Sequence, residues 1–329
     1  MNIGLLGGGQ LGLMMIEAAK KLNHKVIVLD NFVSGKKSNL ARHKKKDLKI
    51  INLDISKEKN LVKYFRGADY VFHLAALAQV IPSIKNPKKY YKNNVVMTLQ
   101  LIDFLNASGI KKFIFSSSAA TYGIPEDGVC RDSDKTLMPI NPYGKSKLMI
   151  ESILQDYNKA YDFNSISLRY FNAAGADPDA EVGELRAEET HIIPLAIKAA
   201  MSGKGFKLFG DDYNTKDGTC VRDYVHVMDL ADAHLKALNL VGNEIKCGSY
   251  NLGSGIPTSN KEMLDSVQKY AGNMEITINP RRPGDPDMLV ADISRTKKDL
   301  GWDPINSSID NIVATAVKWH NTINKKKIN

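Results

Sequence analysis

The chain has 329 residues, 43% of them hydrophobic, and a formal net charge of +9, enough apolar content for a large core and room for about two domains. No stretch of about eighteen apolar residues occurs, so no membrane-spanning helix is expected, and the start lacks the pattern of a cleaved secretion signal. Much of the positive charge sits in Lys44-Lys45-Lys46 and Lys325-Lys326-Lys327 without interleaved aromatics, which suits solvated surface and argues against a nucleic-acid partner.

Residues 3–6 form a short apolar run that reads as a strand, followed by Gly7-Gly8-Gly9-Gln10-Leu11-Gly12 and a helical pattern over 11–22. A G-x-G-x-x-G between strand and helix permits a tight turn. It also lets the backbone of Gly7, Gly9, Gln10, Leu11 and Gly12 approach a pyrophosphate at the helix N-terminus. The motif alone is weak. It gains from Asp30, at the end of a second apolar run over 25–29, where a carboxylate can hold ribose hydroxyls and disfavour a 2′-phosphate. Hence NAD is expected rather than NADP; the competing reading of Asp30 is a turn cap.

Runs at 48–53, 70–74 and 112–117, with a long helical pattern over 87–107, continue the alternation. They predict an α/β fold, a doubly wound parallel sheet of Rossmann type with helices on both faces. Beyond about residue 172 the pattern loosens into Gly- and charge-rich loops between helices. The expected division is an NAD-binding domain over 1–172 plus about 221–250, and a smaller, irregular α/β substrate-binding domain over about 173–220 and 251–329. Cys130, Cys220 and Cys247 are far apart and lack metal-ligand spacing, so free thiols, a cytoplasmic location and no metal are expected.

The chemistry is expected at Asn141-Pro142-Tyr143-Gly144-Lys145-Ser146-Lys147. If a helix starts at Pro142, Tyr143 and Lys147 lie one turn apart on one face. A phenol acting as a base near neutrality must have its pKa lowered by about three units, roughly 4 kcal/mol, and a neighbouring ammonium supplies part of that. An ordinary amphipathic helix would carry the same Y-x-x-x-K. Upstream, Lys112-Phe113-Ile114-Phe115-Ser116-Ser117-Ser118 reads as a buried strand ending in hydroxyls, with Ser118 on the sheet edge where ligands bind.

Serine, tyrosine and lysine in this order and spacing resemble the catalytic set of the extended short-chain dehydrogenase/reductase family. From about residue 25 to 319 the chain looks like its nucleotide-sugar epimerases. The resemblance implies that Asp30 and Asn31 hold the ribose and that Asp54 and Ile55 meet the adenine. Leu74, Ala75 and Ala76 would lie by the pyrophosphate, and Asn93, Ser116 and Tyr170 near the cofactor. Tyr143, Lys147 and Ser118 would be catalytic. Asn172, His191, Phe209, Arg222, Arg282, Asp285 and Leu289 would line the substrate site, with the two arginines on the diphosphate and Phe209 by the uracil. The implied reaction is NAD-dependent C4 epimerisation of a UDP-hexose through a 4-keto sugar, by a homodimer pairing through 87–107 and 143–160. Leu289, intermediate in size, leaves N-acetyl sugars open.

Two departures stand out: aligning Gly9 and Gly12 with the family's G-x-x-G-x-x-G puts Leu6 at the first glycine, and Ala78 falls where relatives often carry lysine. A nucleotide-sugar 4,6-dehydratase would need Asp-Glu after Ser118, where Ala119-Ala120 stand. A nucleotide-sugar-binding protein without turnover is the other alternative.

Overall fold

The computed structural model of the chain describes residues 1–33, 48–55, 57–58, 61–134, 136–186, 189–282 and 284–328. Lys44–Lys46 and Pro283 lie outside them, as do the side chains of Lys325–Lys327. Strands rich in Val, Ile, Leu and Phe follow one another as β1 (Asn2–Leu6), β2 (Lys25–Asp30), β3 (Leu48–Asn52), β4 (Tyr70–His73), β5 (Lys112–Ser118), β6 (Val129–Cys130) and β7 (Asn164–Tyr170). After them come β8 (Asn172–Ala174), β9 (Phe206–Phe209), β10 (Val221–His226), β11 (Cys247–Leu252), β12 (Pro257–Ser259), β13 (Ile276–Asn279) and β14 (Met288–Ala291).

Seven of these pair in the order β11-β7-β5-β4-β1-β2-β3, every pair parallel. The path runs outward from β1 to β3, then returns to β4 on the other side of β1. That reversal opens a crevice at the carboxyl ends of β1 and β4, where a doubly wound sheet binds its ligand.

Alternate residues of each strand serve opposite faces. In β5, Phe113 and Phe115 pack with Leu101, Ile102, Ile150 and Leu154, whereas Ile114 faces a cluster with Leu5, Val28 and Leu230. Helices α1 (Gln10–Lys21) and α6 (Val227–Leu240) cover the second face; α3 (Met97–Ala107) and α4 (Pro142–Tyr161) cover the first. Each fully buried Leu or Phe contributes about 1.5–3 kcal/mol, which is why a parallel sheet reads as near-continuous apolar runs. Gly4 has a packing reason: a Cβ there would lie 2.7 Å from the Phe65 ring.

α4 starts where the sequence predicts. Asn141 caps it by accepting from the Gly144 amide at 2.9 Å, and Pro142 occupies the first turn. The expected helix over 87–107 forms without a break, as α2 (Pro87–Tyr90), a π-helical turn Tyr91–Val96, and α3. The wider turn arises at Asn94, whose buried amide leaves the helix to bond elsewhere.

A separate core forms beyond residue 190, where α5 (Ile192–Ser202), α7 (Asn260–Ala271) and α8 (Ile309–Ile328) bring Ile197, Leu264, Val267, Ile312 and Val313 together. β10 joins the two regions: its end pairs with β8, its start with β12 and β14. Among the described residues no helix is long and apolar enough to cross a membrane. Cys130, Cys220 and Cys247 are free thiols.

Candidate active site

Gly7 leaves β1 at φ +100°, a conformation that favours glycine, and donates its amide to the Leu29 carbonyl at 3.0 Å. A Cβ on Gly12 would lie 2.2 Å from the Gly7 carbonyl oxygen, so this glycine lets α1 close onto the turn. Gly9 has open space beside it instead, with nothing within 4 Å of a Cβ. Two glycines for packing and one facing a void are what a pyrophosphate at a helix N-terminus requires, despite Leu6 at the first family position.

Asp30 ends β2 with Oδ2 accepting from the Gly8 amide at 2.5 Å and Oδ1 from the Phe32 amide at 2.6 Å. The turn cap and the ribose ligand are thus compatible readings, because each carboxylate oxygen has a second lone pair.

A cavity of about 870 Å³ opens over this turn. Gly7, Gly9, Gln10, Leu11, Gly12, Asp30, Asn31, Asp54, Ile55, Leu74, Ala75, Ala76, Asn93, Ser118, Tyr143, Tyr170, Asn172, His191 and Arg282 all line it. The set spans the expected adenine, ribose, pyrophosphate and sugar positions in one chamber. Lys147 and Ser116 lie beneath its wall, both buried.

At the sugar end, Ser118 is the last residue of β5, and its hydroxyl lies beside the Tyr143 phenol on the cavity wall. Tyr143 is fixed from behind by the Ser83 hydroxyl, which accepts its amide at 3.2 Å. Lys147 donates through Nζ to the Ser116 carbonyl at 2.6 Å, and its ammonium lies 5.9 Å from the centre of the Tyr143 ring. The three expected catalytic groups therefore meet.

The electrostatics depart from expectation. Burial raises the pKa of Tyr143, with the Ser118 hydrogen bond opposing and Tyr90 adding to the rise. Burial also lowers Lys147 to about 7, against the raising effect of Glu151. An ammonium that is itself only partly charged near neutrality, and anchored on a carbonyl, does not acidify the phenol by itself.

The substrate residues divide. Arg282 reaches the cavity with its guanidinium stacked 4.2 Å over the Phe209 ring. Asn172 holds the β8–β10 junction through the Asp223 carbonyl at 2.9 Å. His191 pairs its Nδ1 with Glu184 at 2.8 Å, and Arg186 shares the same oxygen at 2.6 Å. Glu184, Glu189 and His191 each offer one ligand atom within 4.8 Å of one another, with the Arg186 guanidinium already on Glu184.

Arg222, Phe209, Asp285 and Leu289 are not brought to the cavity wall. The Arg222 fork is taken by Asp285 at 2.8 Å, the Pro286 carbonyl at 2.9 Å and the Val221 carbonyl at 2.8 Å. Two residues expected on the diphosphate and on the uridine ribose thus hold each other.

Sequence reasoning also passed over groups that build the site. Asn94, not its neighbour Asn93, bonds both the amide and carbonyl of Leu77 at 3.0 Å and the Ser146 hydroxyl at 3.1 Å, tying the loop after β4 to α4. Gln10, expected at the site through its backbone alone, also anchors the glycine turn through its side-chain amide, which donates to the Gly175 carbonyl at 2.9 Å. Buried beneath Lys147, Glu151 accepts from Arg169. The one available signal was an acid and a base inside apolar patterns, Glu151 in α4 and Arg169 in β7.

A chamber at the switch point of a doubly wound sheet, lined by a glycine turn at one end and by a serine and a tyrosine at the other, defines the class of extended short-chain dehydrogenases and reductases. Residues 3–253 match the NAD dependent epimerase/dehydratase family, and the chain belongs to that family. It is 43% identical over 325 residues, 97% of both chains, to UDP-glucose 4-epimerase of Lactobacillus helveticus. Among solved structures it is similar to UDP-glucose 4-epimerase from Brucella ovis in complex with NAD, with TM-score 0.91, 37% identity, and 96% and 97% of the two chains covered. The enzyme from Bifidobacterium longum in complex with NAD+ and UDP superposes with TM-score 0.90 at 33% identity over 98% of each chain.

Proposed function

We propose that this chain is an isomerase that interconverts the C4 epimers of a UDP-hexose, UDP-glucose and UDP-galactose, with NAD returned unchanged each cycle. The observation that carries the reading is the chamber in which the glycine turn and Asp30 share a wall with the adjacent side chains of Ser118 and Tyr143. The named activities of the similar proteins and the ligands of the Brucella ovis and Bifidobacterium longum enzymes support it.

Backbone amides at the start of α1 and the void beside Gly9 would hold the pyrophosphate, and Asp30 and Asn31 the ribose. When bound, NAD supplies the reversible oxidant and, in its oxidised form, a positive ring charge beside the phenol. Tyr143, as the phenolate, takes the proton of the sugar 4-hydroxyl and becomes the neutral phenol, and Ser118 donates a hydrogen bond to the same oxygen as it becomes a carbonyl. Burial raises the Tyr143 pKa, so proton transfer depends on positive charge gathered around the phenol, of which Lys147 holds a share. Arg282 at the cavity wall is suited to grip the diphosphate by its fork while the keto sugar turns over and presents its other face.

The reading carries a division into the two domains expected from the sequence and a homodimer. For the latter, Val96 and Met149 are exposed, 45% and 47%, on the segments expected to pair. UDP-N-acetylglucosamine belongs in the same assay, since Leu289 lies away from the cavity wall.

The experiment is to denature the purified protein, quantify the released nucleotide, and follow conversion of UDP-galactose to UDP-glucose. Near-stoichiometric NAD with turnover supports the reading. Absence of both overturns it in favour of a nucleotide-sugar-binding protein.

A further inference from the structure

Behind the catalytic lysine lies a buried charge cluster that the reaction as described does not use. Glu151 follows Lys147 by one turn on the same face of α4, and both are fully enclosed, 2% and 3% exposed. Its Oε1 accepts from the Ser117 hydroxyl at 2.5 Å and from Arg169 Nε at 3.0 Å. Its Oε2 accepts from Arg169 Nη2 at 2.6 Å and from the Ser249 hydroxyl at 3.3 Å. Neighbouring residues of β5 therefore grip neighbouring turns of α4: the Ser116 carbonyl takes the lysine, and the Ser117 hydroxyl takes the carboxylate.

We propose that Glu151 is a positioning residue for the epimerisation, a fixed negative charge one helical turn behind the Lys147 ammonium that supports its positive charge under Tyr143 while the Ser116 carbonyl anchors it, the carboxylate itself held by Arg169, Ser117 and Ser249. The inference rests on the reading of the site given above. A buried ammonium loses hydration, and burial draws Lys147 down to about 7, so near neutrality its charge is in the balance. Glu151 is the group that raises it again. The other titratable and charged groups around this pair are Tyr143 on α4, His73 on β4, Arg169 and Tyr170 on β7, Cys247 on β11, and Tyr122 beyond β5. Of these, His73 is neutral near pH 7, burial and the lysine itself lowering it to about 3. Arg169 is committed to Glu151 and to the Tyr122 hydroxyl at 2.8 Å. Tyr170 and Tyr122 are held protonated by burial, which leaves the carboxylate as the anion facing the lysine.

The test compares the pH profile of kcat for the wild-type enzyme, Glu151→Gln and Glu151→Asp. Activity requires protonated Lys147 and is lost as pH rises through its pKa. Removing the carboxylate lowers that pKa, so the alkaline limb of Glu151→Gln should move to lower pH by about one unit. Glu151→Asp should recover most of the displacement. A glutamine variant that folds and loses activity equally at every pH, or keeps the wild-type profile, overturns the proposal. If the glutamine variant does not fold, Glu151→Gln/Arg169→Met, which leaves no unpaired buried guanidinium, should still move the limb to lower pH, and an unmoved limb there overturns the proposal. A wild-type protein that does not epimerise at all would instead sink the functional reading, so the two failures are distinguishable.

Discussion

Tyr143 is a half-buried tyrosine on the cavity wall whose environment works against its proposed task until positive charge arrives, and that sets the sharpest expectations. Tyr143→Phe removes the proton acceptor and should lower kcat by about 10²–10⁴-fold while UDP affinity, read by calorimetry, stays near wild type. The two arginines should separate. Arg282 faces the cavity whereas Arg222 is locked to Asp285, so Arg282→Ala should raise KM for the UDP-sugar clearly more than Arg222→Ala does. Equal effects would mean that the Arg222–Asp285 pair opens when the nucleotide binds. Away from the site, burial lifts Asp132 from 3.8 to about 6 against the opposing pull of Arg169 and Arg295. A carboxyl whose folded pKa is raised contributes stability at low pH that is lost as pH climbs through about 6. Asp132→Asn should therefore stabilise the fold at pH 8, by on the order of 2 kcal/mol in denaturant titrations, and have little effect at pH 4.

Elements deliver these residues through backbone geometry, and the glycine turn is the most exposed to test. Adding a methyl at Gly12 would bring it to 2.2 Å from the Gly7 carbonyl, backbone against backbone, so α1 must shift off the turn. Gly12→Ala should purify with far less bound NAD, measured as nucleotide released on denaturation, whereas Gly9→Ala fills a void and should fold normally. This turn, the parallel strands and the start of α4 at Pro142 were legible because each is written locally: alternation of apolar runs, glycine spacing, an Asn-Pro cap. The π-helical turn at Tyr91–Val96 was not legible. It depends on Asn94 reaching Leu77 and Ser146, residues 17 and 52 positions away, and local periodicity carries no trace of such partners. The same limit hid Glu151–Arg169, because a buried charge pair looks in sequence like two exceptions to apolar patterns. The protonation of Tyr143 was misjudged for a related reason: spacing places a lysine near a phenol but says nothing about how thoroughly both are desolvated.

At the level of the whole molecule, the parallel sheet fixes one end of the chamber and the separate core built by α5, α7 and α8 bounds the other, with β10 spanning both. That arrangement can grip a nucleotide at two ends and leave a sugar between them free to rotate. The central claim is that the hydrogen removed from C4 is kept inside the protein and returned to the opposite face of the same carbon. Converting UDP-galactose in heavy water and examining the UDP-glucose formed by mass spectrometry and NMR tests this directly. The account predicts full epimerisation with no deuterium at C4; deuterium at that carbon in the product would contradict it.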